Sequence, residues 1–186
     1  MKKIIISGFL FLFFSCGYSQ EAETLNARGF HQAQKENYAR AIKLFTKAIS
    51  TDTYYTDAYY NRGLAYSKLK KYEQAIADYT KAISMRPRFR IAYNNRGADK
   101  IELKDYDGAV EDCTIAIELD TSYAMAWYNR GVARLKSGAY EKAILDFEQA
   151  IALNPGYTEA LLNRNIAKER LKQTMDLAKK MLMKII

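Results

Sequence analysis

Proline is nearly absent from this chain, with two residues in 186, at Pro87 and Pro155. Long helices joined by tight connections tolerate that scarcity, because proline breaks a helix interior. Cysteine occurs twice, at Cys16 and Cys113, and histidine once, at His31. Those numbers leave no metal-spaced cluster, and no glycine-rich phosphate loop or nucleophile elbow is present. Catalysis is therefore not expected, and neither a cofactor nor a metal is called for. Asp105 and Asp107 flank Tyr106 at a turn, where helix capping is the ordinary explanation. Nor is there a basic run interleaved with aromatics, so nucleic acid is not an expected partner. Half of the residues are hydrophobic (49%) and about a quarter charged (27%), which excludes both a disordered chain and one wholly embedded in a membrane.

The longest apolar run is short and lies at the start. Lys2 and Lys3 precede Ile4 to Phe14, too few residues to span a bilayer, which takes about 20. Gly17-Tyr18-Ser19 follows with small residues at A-x-A spacing, the pattern of an export signal over residues 1–19 cleaved after Ser19. The expected location is periplasmic or secreted. The alternative is a lipoprotein anchored at Cys16, although Phe13-Phe14 suits lipid attachment poorly. Loss of Lys2 and Lys3 lowers the formal charge from +8 to +6, compatible with anionic partners or with a merely soluble surface. Cleavage would leave Cys113 as the one thiol, with no internal disulfide to form.

What the chain does have is a strict period. Gly29, Gly63, Gly97 and Gly131 stand 34 residues apart. In the same register run Tyr38, Tyr72, Tyr106 and Tyr140, then Ala41, Ala75, Ala109 and Ala143, then Ala48, Ala82, Ala116 and Ala150. Tyr59, Gly63 and Tyr66 recur at three- and four-residue steps, as do Ala75, Ile76, Tyr79, Ala82 and Ile83, so each unit reads as two amphipathic helices. Glycine costs about 1 kcal/mol in a helix interior relative to alanine. Four in register therefore imply close approach of a partner helix. Phe45, Tyr79 and Phe147 form an aromatic column, and Cys113 takes that place in the third unit, where it reads as a small buried hydrophobe.

These residues resemble the tetratricopeptide repeat family, whose signature is W-x2-L-G-x2-Y, then A-x3-F, then A and P. The fourth unit carries it best, in Trp127, Gly131, Ala143, Phe147, Ala150 and Pro155. The expected fold is all-α: an α-solenoid of 34-residue helix-turn-helix units (22–55, 56–89, 90–123 and 124–157). Residues 158–186 form a partial fifth repeat, a C-terminal capping amphipathic helix. The resemblance implies a right-handed superhelix whose first helices line a concave groove, and a protein-interaction scaffold that binds a polypeptide segment there.

Further columns locate candidate sites. Asn61, Asn95, Asn129 and Asn163 fall two residues before the glycine register, with Ala27 in that place in the first unit. Asparagine is a mediocre helix former, so the register implies a shared task. A side-chain amide offers donor and acceptor to a peptide unit, and relatives with such a ladder hold extended peptides; bracing of neighbouring repeats is the equal alternative. By the family's inward positions the groove wall is Phe30, Tyr60, Leu64, Ile91, Ile101, Met125, Tyr128, Val132, Leu135, Leu162 and Ile166. Arg28, Arg62, Arg96, Arg130 and Arg164 occupy the place where the family usually has leucine. Asp78, Asp112 and Asp146 follow on the second helices, so structural Arg–Asp pairs are expected, with Leu44 leaving Arg28 freer. The family's clamp for chaperone tails is not matched, because Asn26, Phe30, Ile91 and Asn95 stand in its places and only Asn61 fits.

Residues 158–186 contain no glycine or proline, and Asn165 replaces the column glycine. Leu171, Met175, Ala178 and Leu182 form a stripe with Lys172, Lys179, Lys180 and Lys184 around it. Packing back as a degenerate second helix is the leading expectation for this segment. Docking of a partner or self-association, and peripheral contact with a membrane, are the others.

Overall fold

The computed structural model describes residues 6–183, with side chains from residue 20. Among these residues there are nine α-helices and no strand: α1 (Ile6–Gln34), α2 (Tyr38–Thr51), α3 (Thr56–Lys68), α4 (Tyr72–Met85), α5 (Arg90–Glu102), α6 (Tyr106–Leu119), α7 (Ala124–Lys136), α8 (Tyr140–Leu153) and α9 (Thr158–Leu182). The fold is the all-α helix-turn-helix solenoid that the 34-residue period predicts. The expected export signal, residues 1–19, and the alternative lipidation site Cys16 have side chains outside the described residues. No described helix is long and apolar enough to cross a membrane.

The helices fall into two compact units, one up to Pro87 and one from Arg88. In the first, α1 packs on α2 and α3, and α3 packs on α2 and α4. In the second, α5–α6, α7–α8 and the first part of α9 stack in order, and the first helices α5, α7 and α9 lie side by side.

Each turn between paired helices repeats one geometry. Glu36, Lys70, Lys104 and Gly138 all have positive φ, 34 residues apart, although only one is glycine. The following residue reaches back five positions, as in Asn37 N–H to Gln32 O at 2.9 Å and Ala139 N–H to Arg134 O at 2.8 Å. This Schellman closure satisfies the helix-end carbonyls, offsetting the left-handed cost at the three non-glycine positions. Asp105 caps α6, accepting from Gly108 N–H at 3.0 Å, so it serves the turn as expected. Pro87 and Pro155 follow the ends of α4 and α8.

The column glycines face the aromatic column. A Cβ added at Gly63 would lie 2.8 Å from the Tyr79 ring, at Gly131 2.7 Å from Phe147, and at Gly97 2.9 Å from Cys113 Sγ. Glycine there is a packing requirement. Cys113 is fully buried, and burial pushes its thiol up to about 12, so it stays protonated and shielded. Ala58, Ala126, Ala133, Ala160 and Ala167 are buried where a first helix meets the preceding repeat. In α1 the corresponding places hold Thr24 and His31, both exposed, on an open hollow of about 640 Å³ also lined by Arg28 and Leu44. A polar outer face is what an end repeat needs for solubility, and it accounts for the single histidine.

Candidate functional site

Three members of the arginine column, Arg62, Arg96 and Arg130, are structural staples. Arg62 Nε and Nη2 donate to the two carboxylate oxygens of Asp78 at 2.8 and 2.7 Å, and Nη1 reaches Thr46 of the preceding repeat at 3.0 Å. Arg96 grips Asp112 in the same two-point manner, at 2.9 and 2.6 Å. Arg130 pairs with Asp146 and donates to Thr114 of the preceding repeat at 3.1 Å, while Arg134 adds a second cation to Asp146 at 2.7 Å. The guanidinium groups lie over Tyr59, Tyr93 and Trp127. Such bonds fix register within and between repeats, and these three arginines are engaged by aspartate rather than offered to an outside anion. Burial raises Asp78 above the ordinary carboxylate value, against the pull of Arg62.

The asparagine column lies on a different face of the first helices. Asn61 Nδ2 donates to Asn26 Oδ1 at 3.0 Å, and Asn129 Nδ2 to Asn94 Oδ1 at 3.0 Å. Asn163 Nδ2 donates to the Tyr128 hydroxyl at 3.0 Å. Each bond runs 35 residues back, from one repeat to the residue preceding the same column in the repeat before. The acceptor column, Asn26, Asn94 and Tyr128, is the partner that sequence reasoning missed. Its signal was the alternation Asn26, Tyr60, Asn94, Tyr128. Among the described residues no bond is donated to Oδ1 of Asn61, Asn129 or Asn163, so each half-buried amide braces through its nitrogen and keeps an unused acceptor. Asn95 Oδ1 accepts from Asn94 Nδ2 at 3.3 Å.

In the second unit these amides lie among apolar side chains spaced by three and four residues on α5, α7 and α9. Met125 is 48% exposed, Leu162 60% and Ile166 40%; Ile91, Tyr128, Val132 and Leu135 are half-buried. Tyr128 stacks on Tyr157, with ring centroids 4.8 Å apart, and leans on Phe147 at 5.9 Å. Burial raises both phenols, Tyr157 to about 12, so both remain neutral hydrogen-bonding groups. In the first unit Phe30 is exposed, and Tyr60 and Leu64 are half-buried. One expected wall residue is not available: Ile101 is only 4% exposed and packs with Ala109 and Ala133. Its helical position turns it between α5 and its neighbours, where burial of a branched aliphatic side chain outweighs exposure. Among the described residues no three His, Cys, Asp or Glu side chains gather to hold a metal.

The tetratricopeptide repeat profile matches residues 56–89 and 124–157. The first tetratricopeptide domain of Spaghetti (RPAP3), solved bound to the HSP90 peptide SRMEEVD, is 31% identical, aligning over 63% of this chain and 93% of that one with a TM-score of 0.62. The chain belongs to the tetratricopeptide repeat family. The second such domain of human RPAP3, solved in complex with the HSP70 peptide SGPTIEEVD, is 35% identical over 59% of this chain and 92% of that one (TM-score 0.58). A crystal structure of MamA shares the fold over 89% of this chain and 90% of that one, at 24% identity and a TM-score of 0.77. No curated protein matches the sequence. Tetratricopeptide repeats are protein-interaction modules, and this chain is one by its fold.

Proposed function

We propose that this tetratricopeptide protein is a non-enzymatic scaffold of the cell envelope that binds an extended polypeptide segment along its first helices. The observation that carries this is the occurrence of half-buried asparagines, whose amide oxygens accept no bond among the described residues, beside exposed apolar side chains on the first helices of the second unit. A peptide backbone offers N–H groups at regular intervals, and Oδ1 of Asn129 and Asn163 can accept them. Met125, Val132, Leu162 and Ile166 would take alternate side chains, and Tyr128 supplies the aromatic anchor. The peptides held by the RPAP3 domains support peptide binding by this fold in general. Their acidic EEVD ends call for a basic clamp, whereas Asn26, Phe30, Ile91 and Asn95 are uncharged, so a more apolar segment fits better.

Selection from a displayed peptide library, followed by fluorescence anisotropy, tests this reading. Leu162→Ser with Ile166→Ser is expected to weaken the selected peptide at least about tenfold, the scale for losing exposed hot-spot contacts. Thermal melting should hardly change, because both side chains are already exposed. Failure to select any peptide, or equal binding by the variant, would remove the site.

The envelope location rests on Lys2, Lys3, the apolar run and Ser19. Mass spectrometry of the chain recovered from its source cells should show a mature N-terminus at Gln20. A lipid-modified Cys16 would instead make it a tethered assembly factor, and an intact Met1 would exclude export.

A further inference from the structure

The expected folding-back of the C-terminal segment does not occur. With no glycine or proline to break it, α9 runs unbroken from Thr158 to Leu182. Ala160 and Ala167 bury its first part on the array, while every residue from Lys172 to Met183 is exposed. At 3.6 residues per turn, Leu171, Met175, Leu177, Ala178, Met181 and Leu182 fall within an arc of about 160°, interrupted only by Thr174. Lys172 and Lys179 lie at one border of that arc, with Lys180 and Gln173 opposite. Asp176 is the only acid between Arg170 and Met183.

We infer that α9 beyond Leu171 is a peripheral membrane-binding helix that lies on an anionic lipid surface. Two features choose this occupant over a second copy of the chain. The apolar arc is far wider than the two-position seam of a paired helix: the best such register, Leu171, Met175, Ala178 and Leu182, carries the small Ala178 and leaves Leu177 and Met181 outside it. The polar side is basic with its lysines bordering the apolar face, so long stems can bury while the ammonium groups meet lipid phosphates. The two flexible methionines on this arc, Met175 and Met181, suit a fluid acyl boundary better than a fixed protein surface.

The test is co-sedimentation of the full chain with vesicles of phosphatidylcholine and phosphatidylglycerol (3:1), against phosphatidylcholine alone. Binding is expected only to the anionic vesicles and should weaken with salt. Lys179→Glu with Lys180→Glu should reduce it at least about 30-fold, given the usual contribution of each lysine near such a surface. Met175→Glu with Leu182→Glu should reduce it comparably without lowering the melting temperature. The N-terminal apolar run is common to all variants. A local probe therefore isolates α9: an environment-sensitive dye on Met175→Cys, in a Cys16→Ser background, should shift to the blue with anionic vesicles, whereas one on Gln173→Cys should not. No shift at position 175, or equal shifts at both, overturns the inference. So does a concentration-dependent dimer in sedimentation velocity that is lost with Met175→Glu, because the second copy would then be the occupant.

Discussion

Replacing Asp146 by alanine is expected to destabilise the protein by about 3–5 kcal/mol, the usual cost of removing one partner from a buried ion pair. At roughly 2–4 °C per kcal/mol for a chain of this size, the melting temperature should fall by about 6–20 °C. The reason is local. Asp146 is 2% exposed and accepts from both Arg130 and Arg134, so its loss leaves two guanidinium groups facing an emptied, water-poor space. Arg130 also ties α7 to Thr114 on α6, so register between the third and fourth repeats should loosen with it. Asp146→Asn should cost less, since it keeps an acceptor. A double Arg130→Met, Asp146→Leu variant should recover much of the loss, because a well-packed apolar pair can replace a buried ionic one. Calorimetry of the four proteins checks the set. A single Asp146→Ala variant that melts within a degree or two of the wild type would show that the pairs do not hold the repeats.

Phe147→Ala is expected to cost a similar amount, about 3–5 kcal/mol, through lost transfer energy and the cavity left behind. Phe147 is fully buried between Gly131 and Tyr128 and is surrounded by Ala143, Ala150 and Ala160. Small alanines cannot collapse far into the space of a missing ring. The fit with Gly131 makes a sharper test. In the wild type, Gly131→Ala should destabilise despite better helix propensity, because its Cβ would stand 2.7 Å from the ring. In the Phe147→Ala background the same change should stabilise, by filling the void and adding about 1 kcal/mol of helix propensity. That reversal of sign, read from denaturant unfolding, is the coupling expected of residues in contact. Additive effects would show that Gly131 and Phe147 do not share one packing constraint.

The arginine and asparagine columns differ in how far the sequence could take them. Arg62, Arg96 and Arg130 each recur sixteen residues before an aspartate, so chemistry and spacing together announce a pair. The asparagines have no complementary column of fixed type. Their acceptors are an amide in two cases and a hydroxyl in the third, and the choice between brace and ladder depended on where each amide hydrogen pointed. The structure shows the brace, in which the bonded hydrogen comes from nitrogen, and the proposed ladder would draw on the oxygen that is left. Ile101 illustrates the same limit for apolar residues. Position within a helix says which face a side chain is on, but a branched aliphatic at the edge of that face is claimed by whichever neighbour lies nearer.

The helix pairs, their 34-residue register, the close helix approach at the glycines and the family itself were all legible in the residues. Each follows from local periodicity and from spacings that repeat without insertion. Three things waited for the tertiary structure. The left-handed turn residues Glu36, Lys70 and Lys104 carry no sequence signal, because closure by backbone hydrogen bonds lets ordinary side chains stand there. The polar end face at Thr24 and His31 acquires meaning only when the alanines at the same places are seen buried against a preceding helix. The continuation of α9 past the array was decided by contacts that do not form, and sequence periodicity measures amphipathicity without saying what, if anything, lies against it.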